Sequence, residues 1–224
     1  MFAFIVRRLA QAALVMVTVA LISFMLFQYV GDPVVFLLGQ DATQEQIKEL
    51  RQALGLDQPF IVQFWHFLRN AAQGEFGFSL RQGTQVSALI AERFPATLEL
   101  ALVAGFLALA VGIPMGVYAA LKRGSFLSQV FMTLSLLGVS LPTFLIGILL
   151  ILVFAVQLGW FPSFGRGDVV QLGWWSSGLL TAKGWLHITL PAITLAIFQL
   201  TLIMRLVRAE MLEVLRTDYI KFAR

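Results

Sequence analysis

Four stretches of this sequence are almost free of charge, and each is long enough to cross a bilayer. A helical crossing of the hydrocarbon core takes about 20 predominantly apolar residues. Backbone polar groups find no water there, so a continuous apolar run must satisfy them internally, as a helix. Composition agrees: 59% of the residues are hydrophobic and 12% charged, with a mean hydropathy of +0.85. A soluble domain carries about 25% charged residues. Even a large soluble core is not built from uninterrupted apolar runs of this length.

The first run extends from about Leu9 to Val30, behind Arg7 and Arg8. A cleavable signal has an apolar region of roughly 7–15 residues followed by a small-x-small site. Here the run is longer and Gly31-Asp32-Pro33 follows, which reads as an uncleaved signal anchor. The second run, about Ala96 to Leu121, ends at Lys122 and Arg123. The third, Phe126 to Leu158, is too long for one ordinary crossing and too short for two with a turn. Charge decides between them. One crossing here gives four in all. Arg7/Arg8, Lys122/Arg123 and the terminal run Arg205, Arg208, Arg216, Lys221, Arg224 then share one side, as the positive-inside rule requires. The sequence therefore predicts a span over about Thr133–Leu158, kinked or broken at Pro142, with the preceding stretch at the interface. The fourth span is about Ile188–Leu206. Both chain ends are expected inside, and residues 31–95 outside.

Between the first two spans lie two amphipathic stretches. Thr43 to Leu54 places Ile47, Leu50 and Leu54 on one face; Pro59 to Ala72 does the same with Phe60, Phe64, Phe67 and Leu68. Thr43 with Gln46 has the spacing of a reciprocal N-terminal cap, Gly55 ends the first helix and Pro59 opens the second. The expected organisation is a domain 1–95 (helix 9–30 plus an extracytoplasmic helical region) and a transmembrane domain 96–224. Residues 159 to about 187 are rich in Gly and Trp and read as an outer loop on the bilayer surface.

A transporter needs a path at membrane depth and helices able to move, and broken helices supply both. Pro114, Pro142 and Pro191 sit inside or beside spans. Ser140 and Thr143 flank Pro142 and are positioned to satisfy backbone groups that it frees, which makes Ser140, Pro142 and Thr143 candidates for the path. Glu99 and Arg205 join them as charges within spans, although each is near enough to an interface to reach water. Gly112-x-x-x-Gly116 suits close helix packing. His66 and His187 stand alone, without carboxylate or thiolate partners at ligand spacing, so no metal site is expected.

There is no cysteine, so disulfides, thiolate metal sites and a cysteine nucleophile are excluded. The formal charge of +4 fits basic loops of a membrane protein and gives no reason to invoke nucleic acid. No Gly-x-x-x-x-Gly-Lys-Ser/Thr, His-Glu-x-x-His or Gly-x-Ser-x-Gly string occurs, so neither nucleotide hydrolysis of that type nor metallo- or serine hydrolysis is indicated. If transport is active, a partner supplies the energy.

Several strings, in order, resemble the first permease subunit of bacterial dipeptide/oligopeptide ABC importers. They are Ile5-Val6-Arg7-Arg8-Leu9, Gly55-Leu56-Asp57-Gln58-Pro59, Gly74-Glu75-Phe76-Gly77-Phe78-Ser79, Arg93-Phe94-Pro95-Ala96-Thr97-Leu98-Glu99-Leu100, Ser140-Leu141-Pro142-Thr143-Phe144, Leu158-Gly159-Trp160-Phe161-Pro162, Leu190-Pro191-Ala192, and Arg205 through Leu215 leading to Asp218–Arg224. The resemblance covers essentially the whole chain. It implies an all-α polytopic protein with the type I importer permease fold, six spans of which this sequence carries four. It further implies a second, similar permease, two ABC ATPases that bind the ATP and magnesium, and an extracytoplasmic substrate-binding protein, in the bacterial inner membrane. The chain itself would bind no cofactor.

The resemblance also implies a cytoplasmic coupling helix gripped by the ATPases, with the hallmark Glu-Ala-Ala-x-x-x-Gly. The sequence enters that element near Lys221-Phe222-Ala223 and ends before its glycine; the Glu and first Ala are replaced. The residues this assigns to coupling are Arg216, Asp218, Tyr219, Ile220, Lys221, Phe222, Ala223 and Arg224, with the aromatic and apolar ones as anchors and the charged ones at the rim. The same segment read without the resemblance is equally an amphipathic helix lying on lipid. Nickel, glutathione and other small solutes are carried by the same permease type. A membrane scaffold or enzyme without transport, or a stand-alone channel, are the readings from other classes.

Overall fold

The computed structural model describes residues 1–30, 34, 38, 43–53, 55–79, 82–217 and 222. It is mostly helical and divides into two compact units, Met1–Ala91 and Glu92–Arg224.

The first unit opens with helix α1, Phe2–Val30. Nearly every side chain from Met1 to Leu26 is exposed, with only Ala20, Leu21 and Phe24 partly covered. An apolar helix with no protein around it is stable in lipid and not in water. Phe24 is covered because α3, Phe60–Ala72, brings Phe60, Phe64 and Phe67 to it, with ring centroids 5.4, 5.7 and 5.4 Å away. The intervening α2, Gln44–Ala53, starts at a reciprocal cap: Gln46 N donates to Thr43 Oγ1 at 3.4 Å, and Thr43 N donates to Gln46 Oε1 at 3.0 Å. Gly55 takes φ +67°, a left-handed turn natural to glycine. The side-chain amide of Gln63 then ties the turn down, donating to the carbonyls of Leu56 and Gln58 at 3.1 and 2.7 Å. A minimal hairpin, β1 Phe78–Ser79 with β2 Thr84–Gln85, follows.

The unit boundary falls within α4, Val86–Leu121. This helix begins ten residues before the span read from hydropathy, because the charged pair Glu92–Arg93 interrupts the apolar run without interrupting the helix. Pro95 and Pro114 are accommodated inside it. In the second unit, Ser125 caps α5, Phe126–Ser140, by accepting from Ser128 N at 3.2 Å. The stretch expected to lie at the interface is thus the first part of α5. The chain breaks at Leu141–Pro142 and resumes as α6, Thr143–Leu150, continuing in a π-helical stretch, Ile151–Gln157. The two arms meet at 106°, so the expected span from Thr133 to Leu158 is a sharply bent pair and not a kinked rod. Each arm has 15 residues, roughly 22 Å at 1.5 Å per residue, short of the ~30 Å core. By length and composition the described residues hold three membrane-crossing helices, or up to four if the bent pair counts as one. After a loop with hairpin β3 Val170–Leu172 and β4 Trp175–Ser177, α7 runs Ala182–Val214, well past the apolar window into its charged end.

Helix α7 is the axis of this unit. Four glycines from three other helices lie on it. A Cβ at Gly112 would meet Leu200 O and Ile203, and one at Gly116 would come 2.7 Å from Met204 O. A Cβ at Gly138 on α5 would come 2.6 Å from Thr201 Oγ1, and one at Gly147 on α6 would touch Thr194 at 3.2 Å. Small residues allow such approach where lipid offers no hydrophobic drive for helix pairing. The pairings fix direction. Gly112 and Gly116 match Leu200 and Met204 in ascending order, so α4 and α7 run parallel. Gly138 and Gly147 match Thr201 and Thr194 in descending order, so the bent pair runs back along α7. It carries the chain once along the bundle, from the end near Ala119, whose carbonyl accepts from Ser128 Oγ and Arg208 Nε, to the opposite end.

Candidate functional site

At the N-terminal ends of α4 and α7 the loop after α6 folds over a cleft of about 610 Å³, whose lining includes Arg93, Glu99, Arg166, Gln171, Ser176 and His187. Glu99 is 4% exposed. A carboxylate so buried needs several donors, and the loop provides them. Arg166 Nη2 donates to Oε2 at 3.3 Å, Gly178 N donates to Oε2 at 3.1 Å, and Trp175 Nε1 donates to Oε1 at 3.4 Å. Ser177, also buried, adds a side-chain hydrogen bond. Arg166 reaches onward: Nη1 donates to Ser176 Oγ at 2.7 Å and Nη2 to the Ser176 carbonyl. Its Nε is buried and has no partner among the described residues.

The loop is fastened to α7 as well. Thr181 caps α7, accepting from Gly184 N at 2.9 Å, while its hydroxyl donates to the carbonyl of Asp168 at 2.7 Å. Asp168 pairs with Lys183 at 3.1 Å across an exposed surface, a contact of small energetic weight. His187 Nδ1 lies 2.7 Å from the Lys183 carbonyl, so that nitrogen carries the proton. A side chain at Gly184 would collide with the carbonyl of Gly178. Gly167, at φ +75°, lets the loop backbone pass against His187 and Lys183.

A second, almost wholly apolar cleft of about 380 Å³ lies in the crook of the bent pair against α7, between Leu137, Gly138, Leu141, Ile146, Thr201 and Met204.

Of the path candidates, only Glu99 lines either cleft. Ser140, Pro142 and Thr143 sit exposed at the break between α5 and α6. At the break Leu141 N donates to Leu137 O at 3.0 Å and Leu145 N to Pro142 O at 3.0 Å, and α6 has no side-chain cap. Arg205 is half-buried on α7, far along the helix from Glu99. Gly112 and Gly116 lie under α7, within a longer stripe of buried small residues, Ala104, Ala108 and Ala120. Among the coupling residues, Arg216 is exposed just past α7 and Phe222 is 92% exposed; Asp218, Tyr219, Ile220, Lys221, Ala223 and Arg224 lie outside the described residues.

Arg166, Trp175 and Gly178 were not singled out by sequence reasoning. One signal was present. Between Arg123 and Lys183 the only charged residues are Arg166 and Asp168. A carboxylate inside a span requires a partner, and Arg166 is the single cation the loop offers.

Comparison with known proteins covers the same ground. Residues 1–101 match the family described as binding-protein-dependent transport system membrane component, N-terminal, and residues 112–224 match binding-protein-dependent transport system inner membrane component. A relative from Brucella suis biovar 1 (strain 1330), named a peptide transport system permease protein, is 43% identical over 226 residues, covering 100% of this chain and 69% of the relative. One from Sinorhizobium fredii, named a peptide ABC transporter permease protein, is 36% identical, covering 98% of this chain and 68% of the relative. The glutathione transport system permease protein of Escherichia coli (strain K12) is 36% identical, covering 92% of this chain and 64% of the relative. With apolar helices long enough to cross a membrane, small-residue packing around α7 and family matches over nearly its whole length, the chain belongs to the inner-membrane components of binding-protein-dependent transport systems, as a multi-pass permease and not an enzyme.

Proposed function

We propose that this chain forms half of the translocation pathway of an ATP-driven importer for di- and oligopeptides in a bacterial inner membrane. The observation that carries the substrate class is 43% identity, along the whole chain, to a relative named for peptide transport. The glutathione relative favours the same chemistry, because glutathione is itself a short peptide. A second permease completes the path, a substrate-binding protein delivers cargo from outside, and two ATPases bind ATP and magnesium on the cytoplasmic side. This chain needs no cofactor of its own. The test is to purify the complete transporter with its binding protein and identify what that protein carries. Short peptides, and peptide uptake by the reconstituted complex, are the expected result. A bound metal chelate or sugar, with no peptide uptake, overturns the substrate class.

The orientation places both α1 and α4 with their basic flanks, Arg7/Arg8 and Lys122/Arg123, inside. The parallel run of α4 and α7, joined by a bent pair that travels the bundle once, supports it. Residues 31–95 and the loop over Glu99 are then outside. The chain contains no cysteine, so a Gln44→Cys variant carries one label site. It should react with an impermeant maleimide in spheroplasts and be protected in inside-out vesicles. The reverse pattern contradicts the topology.

A further inference from the structure

We infer that Glu99 is a positioning residue: its buried carboxylate locks the loop 159–181 onto the ends of α4 and α7, so that these ends move as one body during transport. The inference rests on the permease function above, and adds to it a role for a residue that need not touch cargo.

The loop leaves α6 at Leu158 and would be free to swing if held only at its two ends. It is held at a third point instead. Both oxygens of Glu99 are engaged, by three donors, Arg166, Trp175 and Gly178, spread along the loop and converging on one side chain. Arg166 is bonded to both the hydroxyl and the carbonyl of Ser176, so the two limbs of the loop are fastened to each other at the same place. Phe94, five residues before Glu99 on α4, packs edge-on against Trp175 with centroids 6.4 Å apart. On the other side Gly178 presses against Gly184 so closely that no Cβ fits, and Thr181 ties the loop to the first turn of α7. The carboxylate on α4 is therefore the common acceptor for the loop, and the loop in turn is fastened to the first turn of α7. Removing its charge leaves Arg166 without its anion and disorganises all three attachments at once, since a partly satisfied buried network is worse than none. An element that must change shape as a unit when the path opens needs such a joint to pass motion from one helix end to the next.

The full transporter, reconstituted with its ATPases and binding protein, provides the test. Spin labels are placed at Trp174→Cys, the exposed tip of the β3–β4 turn, and Leu102→Cys, exposed on α4, in a transporter whose other cysteines, none of them in this sequence, are first replaced by serine. With Glu99 present the distance distribution between them should be narrow. Glu99→Gln should broaden it and lower the maximal transport rate tenfold or more, while the substrate concentration giving half-maximal transport stays the same. A distribution equally narrow in both proteins, or a broad one with unimpaired transport, overturns the inference. A shift in half-saturation together with the rate overturns it differently, since that marks Glu99 as a cargo contact. If Glu99→Gln does not assemble, Arg166→Lys keeps the charge but loses the fork that reaches Ser176, and the same criteria apply. The distance measurement needs no cargo, so a wrong substrate class would show as absent peptide uptake in the unaltered protein and leave this result readable.

Discussion

Replacing Gly116 with leucine should leave no folded protein to purify, whereas Gly105→Ala should be harmless. Both glycines lie in α4, eleven residues apart, and both are helical. They differ in what surrounds them. A Cβ at Gly116 would stand 2.7 Å from the Met204 carbonyl and 2.8 Å from Val207 Cβ, and neither is the far end of a flexible side chain. Alanine there must push α4 off α7, at about 1–3 kcal/mol for the overpacking. Leucine adds three more carbons with nowhere to go. At Gly105 nothing lies within 4 Å of the added carbon. There alanine should be neutral or stabilising, by up to about 1 kcal/mol from helix propensity. The fraction of each variant that remains monodisperse after heating in detergent gives the comparison. Equal loss in both would mean that α4 and α7 are not in contact through Gly116.

The second large effect is expected just beyond the C-terminal end of α7. Phe222→Asp should cut transport at least tenfold, and abolish the increase in ATP hydrolysis on adding loaded binding protein, while the permease reaches the membrane in normal amount. Phe222 is 92% exposed, an aromatic side chain left uncovered by the described residues. An aromatic anchor seated in a partner's groove is worth roughly 2 kcal/mol or more, which is over tenfold in binding. Substrate-stimulated hydrolysis at the unaltered level in the assembled variant would sink the idea that this segment couples to the ATPases. Reduced membrane insertion, in contrast, would assign the residue to lipid, as an interfacial helix requires.

The spans were legible because hydrophobic length is a property of sequence windows. Pro142 was legible as a break, since a proline in a helix interior removes a donor and clashes with the preceding turn. The 106° between the arms was not, because the angle is set by where Gly138 and Gly147 seat on α7. The reciprocal cap at Thr43 and Gln46 follows from local spacing and could be read directly. The helices run on to Val86 and Val214, past the hydropathic spans, because charged residues (Glu92 and Arg93 at one, Arg208, Glu210 and Glu213 at the other) interrupt an apolar window without interrupting a helix. The GxxxG pair is visible in the sequence, but its extension through Ala104, Ala108 and Ala120 at the same four-residue spacing is hidden among the many alanines of α4. Least legible was the joint at Glu99. Its donors lie 67 to 79 residues away, and two of the groups it uses, a backbone N–H and an indole N–H, have no charge to advertise them.

The π-helical stretch at the end of α6 has a bearing on that joint. Its turns close from Leu158 N to Val153 O, five residues apart, where an α-turn would close over four. The wider ring absorbs one extra residue, and an α-helix advances about 100° per residue. Everything after Gln157 is thus clocked by one position relative to the face that α6 turns to α7. Trp160 comes to lie by Phe154, with centroids 5.9 Å apart, and the loop departs from that azimuth. The azimuth at which the loop sets out from α6 toward Glu99 is thus turned by an extra residue inside the helix. Shortening the loop by one residue would reduce its reach. Shortening the π stretch by one would keep the reach, return the helix to α geometry and turn the base of the loop by about 100°, aiming Arg166 away from its carboxylate.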